Sequence, residues 1–223
     1  VKWGERMDIW KELRDEGIDA ALLEEIQHFR AAHPVPPEAA ARIPTPQCLY
    51  YGKEVWESAA AALLCGQHLL LAGPKATGKN VLAENLAAVF GRPVWDVSMY
   101  VNVDAAALIG ADTLQKGEVV FREGPICRCA RLGGFGVLDE VNMAKNEALA
   151  VLHATLDHRR VIDVPGYERI TLDDAARFIG TMNYGYAGTR ELNEALVSRF
   201  VVLDMPVISD ADLQKLLRRT FPD

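Results

Sequence analysis

Five short apolar runs constrain this chain more than any other feature: HLLLAG, PVWDVSM, FGVLDEV, FIGTMN and FVVLDMP. None alternates cleanly between polar and apolar residues, and helical patterns separate most of them, at residues 80–90, 145–158 and 191–197. A strand that is apolar on both faces must be covered on both, and intervening helices supply the crossovers that parallel pairing needs. The pattern predicts an α/β fold built on a five-stranded parallel sheet flanked by helices. Two stretches interrupt it as β-ribbons. One is GEVVFREG; the other is RRVIDVPGYERITL, with Pro165-Gly166 at its turn.

This α/β pattern occupies residues 47–206. Ahead of it, residues 1–33 read as helical and amphipathic, with Ile18, Leu22, Ile26 and Phe29 at helical spacing and Asp19 as an N-cap. A short amphipathic helix is rarely stable alone, so this segment is expected to pack on the core, with recruitment of a partner as the alternative. Residues 34–46 hold five of the eleven prolines, which forbids a long helix and predicts an extended linker at a domain boundary. Beyond the last apolar run, residues 207–223 include ISDADLQKLLRR, the start of a further helix capped near Ser209 or Asp210. The chain begins at Val1 without an initiator Met and reads as a piece of something longer.

Half of the 223 residues are hydrophobic, enough for a sizeable core. The formal charge of −7 argues against a sequence-blind nucleic-acid binder, which needs a Lys/Arg excess to replace counterions. Cys48, Cys65, Cys127 and Cys129 are too few and too irregular for a disulfide framework. The Cys127-x-Cys129 pair has no second Cys/His pair at zinc-ligand spacing, so these read as small buried or half-buried thiols rather than metal ligands. No apolar run approaches the ~20 residues of a membrane span. The first residues, VKWGERMDIW, lack a signal peptide's apolar stretch. A reducing, cytoplasmic setting is expected.

The chemistry begins at GPKATGKN, Gly73 to Asn80, a phosphate-binding loop in every position but the last. HLLLAG precedes it as a buried strand and VLAENLAAVF follows as a helix, so backbone N–H groups and the helix N-terminus would point at phosphate. Lys79 would reach the β- and γ-phosphates. Asn80 stands where the motif places a Ser or Thr hydroxyl as a Mg²⁺ ligand. GVLDEVN ends a strand in adjacent carboxylates, and ligands of open α/β sheets bind beyond such strand ends. Asp139 suits the metal's ligand shell, while Glu140 suits orienting a water for attack on the γ-phosphate. In isolation such a pair is mostly a solvated turn. Asn183, at the end of FIGTMN, could bond the attacking water or the γ-phosphate, or be a plain turn residue. Arg199 ends a helix, where a positive charge is favourable in its own right.

Together GPKATGKN, GVLDEVN, GTMNYGYAGTREL and ALVSRF resemble an AAA+ ATPase, specifically the MoxR branch and its dynein-related neighbours. The resemblance covers roughly Cys48 to Pro206. It implies a P-loop NTPase sheet of order 5-1-4-3-2 and a hexameric homo-oligomeric ring with ATP or ADP and Mg²⁺ at subunit interfaces. It makes Gly73, Pro74, Lys75, Ala76, Thr77, Gly78, Lys79 and Asn80 Walker A, with Val81 following in the nucleotide-binding set. Asp139 and Glu140 become Walker B, Asn183 sensor 1, and Arg199 an arginine finger reaching the neighbour's γ-phosphate. It places the YYGKEVW segment, around Tyr51 and Gly52, near the adenine. VNVDAAALIGADTL then takes the place of the family's helix-2 insert, and the ribbon around Pro165–Tyr167 that of its pre-sensor-1 hairpin, both on the ring's substrate side. The alternative for both is an ordinary surface loop.

Two departures stand out. Asn80 offers a neutral amide on a longer arm than a Thr hydroxyl, so weaker or water-mediated Mg²⁺ contact is expected, with nucleotide binding kept. The family's helical lid, with its sensor-2 arginine, is not reached by Asp223, so residues 207–223 are expected to be the start of a truncated lid, or the lid to be supplied elsewhere. Arg218 and Arg219 read as solvated helix-end charges, with a substitute role the lesser alternative. The leading expectation is an ATP-hydrolysing remodeller that matures a partner protein or assists metal or cofactor insertion into it. The alternative is a nucleotide-holding switch or scaffold with little turnover. A small-molecule kinase has no need of the Asp-Glu pair, Asn183 and Arg199 together, and a DNA-loading ATPase conflicts with the acidic balance.

Overall fold

The structure is a computed structural model and describes residues 7–164, 166–184 and 191–220. In chain order the elements are α1 (Ile9–Asp15), α2 (Ala20–Ala32), α3 (Pro37–Ala40), α4 (Lys53–Leu64), β1 (His68–Gly73), α5 (Lys79–Phe90) and β2 (Val94–Ser98). Then come α6 (Ala105–Ile109), β3 (Gly110–Gln115), β4 (Glu118–Glu123), α7 (Pro125–Arg131) and β5 (Phe135–Asp139). Following these are α8 (Asn146–Thr155), β6 (Val161–Ile162), β7 (Ile170–Thr171), β8 (Arg177–Asn183), α9 (Glu194–Val197), β9 (Phe200–Asp204) and α10 (Asp210–Thr220).

The five apolar runs form one parallel sheet in the order β2-β5-β8-β1-β9. Numbered among themselves these strands read 2-3-4-1-5, which is the expected 5-1-4-3-2 taken from the other edge. Each central strand feeds both faces. Leu69 and Leu71 of β1 enter one core layer with α1, α2, α4 and α5, while Leu70 enters the other with residues of α6, α7 and α8. That explains the absence of alternation in the sequence: every position of β1 is buried. Register aligns the strand ends that carry the motifs. Gly73 pairs with Asn183, Ser98 with Asp139, and Leu138 with Gly180, so Asp139 and Thr181 end side by side.

Both ribbon signals hold strands: GEVVFREG supplies β4, which pairs with β3 from just ahead of that stretch, and RRVIDVPGYERITL holds the short β6–β7 pair. They touch: the Tyr167 hydroxyl donates to Asp112 Oδ1 at 2.5 Å, and the Phe121 and Tyr167 rings lie 4.9 Å apart. Pro165, half of the expected ribbon turn, lies outside the described residues.

At the N-terminus the helical stretch is two helices, because Gly17 turns the chain at φ +74°. Asp19 caps α2, its Oδ1 accepting from Ala21 and Leu22 N–H at 2.7 and 3.3 Å. Ile9, Leu13, Ile18, Leu23 and Ile26 are buried against the α4–α5 layer. Residues 34–46 differ from the extended linker read from their prolines. They hold α3 and lie along the sheet edge, where the Arg42 carbonyl accepts from Val94 N–H at 3.0 Å and its guanidinium sits over the Trp95 ring. Burial of Ala39 and this edge pairing fix a segment that composition alone leaves free. Among the described residues no helix is long and apolar enough to cross a membrane.

Candidate functional site

The phosphate loop has the geometry its sequence requires. A Cβ on Gly73 would lie 2.7 Å from the Met205 carbonyl oxygen, so a side chain there would push the end of β1 off the segment following β9. Gly78 adopts φ +82°, a left-handed turn that delivers the chain into α5. The first turn of α5 has no side-chain cap, leaving its N–H groups directed at the loop. Lys79 is 7% exposed and folds back, its Nζ donating to the Gly73 and Pro74 carbonyls at 3.1 and 2.6 Å and to Thr77 Oγ1 at 3.2 Å. Burial pulls the Lys79 ammonium below its ordinary value, while Asp139 and Glu140 act in the opposite sense. Among the described residues only neutral oxygens bond this ammonium, and an anion in the loop would satisfy it better.

Opposite the loop, side chains from β5 and β8 form a continuous hydrogen-bonded chain. Asp139 Oδ1 accepts from Thr181 Oγ1 at 2.7 Å and from Asn80 Nδ2 at 3.1 Å. The Thr181 hydroxyl accepts in turn from the Glu140 N–H at 3.0 Å. Asn183 Nδ2 donates to Glu140 Oε1 at 2.8 Å, and Asn142 Nδ2 donates to the Asn183 carbonyl at 2.7 Å. Glu140 itself adopts φ +55°, ψ +51°, a left-handed conformation costly for a residue with a Cβ. Its surroundings hold it there. Lys75, Ala76, Thr77, Gly78, Lys79, Asn80, Val81, Asp139, Glu140, Thr181 and Asn183 line one cleft of about 430 Å³.

Two further spaces adjoin it. An apolar pocket of about 390 Å³, lined by Tyr51, Gly52, Val207, Ile208 and Leu216 among others, shares Ala76, Thr77, Gly78 and Val81 with the phosphate cleft. On the other side a cleft of about 530 Å³ joins Asn80 and Asp139 to Arg42, Glu84, Asp96 and Ser98. Burial and then Asp96 raise the Glu84 carboxyl; burial and then Asp139 raise that of Asp96. Among the described residues no three acidic, His or Cys side chains converge tightly enough to hold a metal alone. Asp139 and the Asn80 amide oxygen are hard donors of the kind Mg²⁺ takes, and that ion commonly completes its shell with water and phosphate oxygens.

Arg199 is not part of this cluster. It precedes Phe200, which pairs with His68 at the start of β1, whereas Asn183 pairs with Gly73 at its end. The separation along the strand is about 16 Å at ~3.3 Å per residue. Arg199 donates Nε to the His153 carbonyl at 3.2 Å and Nη1 to the Ala195 carbonyl, with Asp157 3.8 Å from Nη2. Arg219 pairs with Glu12 at 2.6 Å, turned to the N-terminal helices. Residues 185–190, the centre of the GTMNYGYAGTREL motif, lie outside the described residues.

Sequence reasoning missed Thr181, Asn142, Glu84 and Asp96. The signal for Thr181 and Asp96 is a polar residue inside an otherwise apolar run. Asn142 follows the carboxylates in GVLDEVN but has no chemistry of its own until the strand register brings Asn183 beside it.

Comparisons with known proteins agree with this fold. Residues 68–200 match the family described as AAA domain (dynein-related subfamily). The uncharacterized protein YojN of Bacillus subtilis is 37% identical over 189 residues, covering 82% of this chain and 62% of that protein. An uncharacterized protein of Staphylococcus epidermidis is 38% identical over 168 residues, 72% of this chain and 63% of its own length. The chain thus spans somewhat under two thirds of these relatives. A crystal structure of a "putative ATPase" from Cytophaga hutchinsonii superposes with a TM-score of 0.64 at 17% identity, over 95% of this chain and 59% of that one, a likeness of fold. With the family match running from the start of β1 to the start of β9, across the phosphate loop and both carboxylates, this chain belongs to the dynein-related AAA domain family.

Proposed function

We propose that this chain binds ATP in the cleft between Lys79 and Asp139 and hydrolyses it with Mg²⁺ as one subunit of a ring, most akin to the MoxR branch. The observation that carries this reading is the unbroken chain Asp139–Thr181–Glu140–Asn183 facing the Lys79 loop. A loop that merely held phosphate would have no use for a strained Glu whose carboxylate is oriented by an Asn amide. Gly73 to Asn80 and the start of α5 cradle the phosphates, Lys79 neutralises them, and Tyr51, Gly52 and Val81 border the base. Glu140 holds a water and accepts its proton as the water oxygen bonds to the γ-phosphorus and the bond to the β-phosphate oxygen breaks. Asn183 orients that carboxylate and water. Asp139 and Asn80 are the residues that would hold Mg²⁺, which neutralises phosphate charge when bound. Arg199, remote from its own cleft, serves the neighbouring subunit.

The work done is remodelling or maturation of a partner protein, in a reducing, cytoplasmic setting. The four thiols are unpaired, which suits that compartment. Metal or cofactor insertion is one form such maturation takes in this branch.

A second reading has its own support. Asn80 spends its amide N–H on Asp139, occupying a carboxylate oxygen that the metal needs. The protein would then hold ATP as a switch. Steady-state turnover with and without Mg²⁺, beside ATP binding, tests both. Turnover lost in Glu140→Gln with ATP binding kept supports the hydrolase; tight binding with no turnover in the native protein supports the switch.

A further inference from the structure

The apolar pocket beside the phosphate loop is roofed by α10 and the segment before it, through Val207, Ile208, Asp212 and Leu216. Little apolar burial holds that roof: Leu213 and Leu217 are 39% and 47% exposed. Its firm attachments are ionic and reach the N-terminal segment. Lys215 Nζ lies 2.6 Å from Glu16 Oε2, and Arg219 Nη1 lies 2.6 Å from Glu12 Oε2. The same two cations border the pocket wall. Lys215 sits 5.6 Å above the Tyr51 ring, and Arg219 reaches the Tyr51 side chain. Lys215 also pairs with Asp212 at 3.4 Å, closing the corner within α10.

The other end of this tether is rigid. Asp8 caps α1 through bonds from Trp10 and Lys11 N–H at 3.1 and 3.2 Å, and Ile9 and Leu13 are buried beside α5, the helix that starts at the phosphate loop. α1 is therefore fixed to the same body as the loop, and α10 is fixed to α1.

We infer that Glu12 and Glu16 are positioning residues for nucleotide binding: they hold α10 as the roof of the base pocket. The inference rests on the ATP reading of the cleft. The N-terminal segment then sets how tightly the base half of a nucleotide is kept, while the phosphate half is held by Gly73 to Lys79 without its help. Partly exposed ion pairs are screened by salt, so this contribution shrinks as ionic strength rises.

The test compares two probes in the intact protein by calorimetry, ADP and inorganic tripolyphosphate, at low and high salt. In the Glu12→Gln/Glu16→Gln double variant, ADP affinity is expected to fall roughly two- to thirtyfold at low salt, the range for two such pairs. Tripolyphosphate affinity stays unchanged, and the ADP deficit narrows at high salt. The charge exchange Glu16→Lys with Lys215→Glu recovers affinity that Glu16→Lys alone loses. Unchanged ADP affinity in the double variant overturns the inference, and so does equal loss for both probes, which would mark a general structural role. Native protein that binds neither probe overturns the ATP reading itself, and this inference with it.

Discussion

Thr181 is the residue on which the two carboxylates of the cleft depend, since its hydroxyl donates to Asp139 and accepts from the Glu140 N–H. Glu140 sits in a left-handed conformation that a side-chain-bearing residue keeps only when its neighbours over-determine it. Thr181→Val keeps the shape of the side chain and removes both bonds. Losing a hydrogen bond to a charged group costs about 1.5–3 kcal/mol, so ATP turnover is expected to fall roughly ten- to hundredfold. ATP binding, which rests on the loop, should change little; a steady-state assay beside a binding titration checks both. His68 supplies a second test at this scale. It is buried at the start of β1, and its Nδ1 accepts from the Phe178 N–H at 3.0 Å, which requires an unprotonated nitrogen. Burial, then Arg160 and Arg177, push it down to about 3 from its ordinary 6.5. The unfolded chain therefore binds the extra proton first, and the stability that neutral His68 allows is full above about pH 6.5 and lost as pH falls toward 3. Between pH 7 and 5 urea denaturation should show a loss of about 1–2 kcal/mol from this group, absent in His68→Gln. Motif residues such as Lys79, Asp139 and Glu140 were legible in the sequence because their spacing is local. Thr181 and Asn142 were not, because their partners are set by strand register across the sheet.

At the scale of elements, the five strands and the helices at residues 80–90 and 145–158 were legible to within a few residues, since burial on both faces imposes its own composition. The segment at residues 34–46 was not: proline content speaks of backbone freedom lost to helix, and says nothing of the sheet edge that Arg42 finds. Nor was the contact between the two ribbons, whose own patterns are complete without it. Tyr167 joins them by a hydrogen bond to Asp112 and a ring contact with Phe121. Beyond that junction the hairpin carries the cross-strand pair Leu114 and Val119, 74% and 65% exposed. Tyr167→Phe removes the hydrogen bond and leaves the ring. The acceptor is a carboxylate, but the bond is exposed and competes with water, so amides of β3 and β4 should exchange with deuterium roughly two- to tenfold faster. The five-stranded sheet should show no change. Exchange that is unaltered in the hairpin would mean the two ribbons move independently.

For the whole molecule, the distance between Arg199 and Lys79 sets the terms. If Arg199 is the finger we propose, a chain whose Lys79 cleft and Arg199 lie at opposite ends of β1 cannot complete its own site by a side-chain rotation, whereas a ring of copies would complete every one. That division of labour has a quantitative signature. Arg199→Ala should retain ATP binding and lose turnover by about a thousandfold, the scale of a missing finger. Glu140→Gln should be equally inactive while keeping its arginine. In an equal mixture that assembles at random, a quarter of interfaces pair an intact Glu140 cleft with an intact Arg199, so turnover should recover to about a quarter of native. Recovery should also require protein concentrations at which assemblies form, measured by light scattering on the same samples. Mixtures that stay inactive while assembling would remove Arg199 from the interface role and leave its bonds to the His153 and Ala195 carbonyls as a helix-end contact within one subunit.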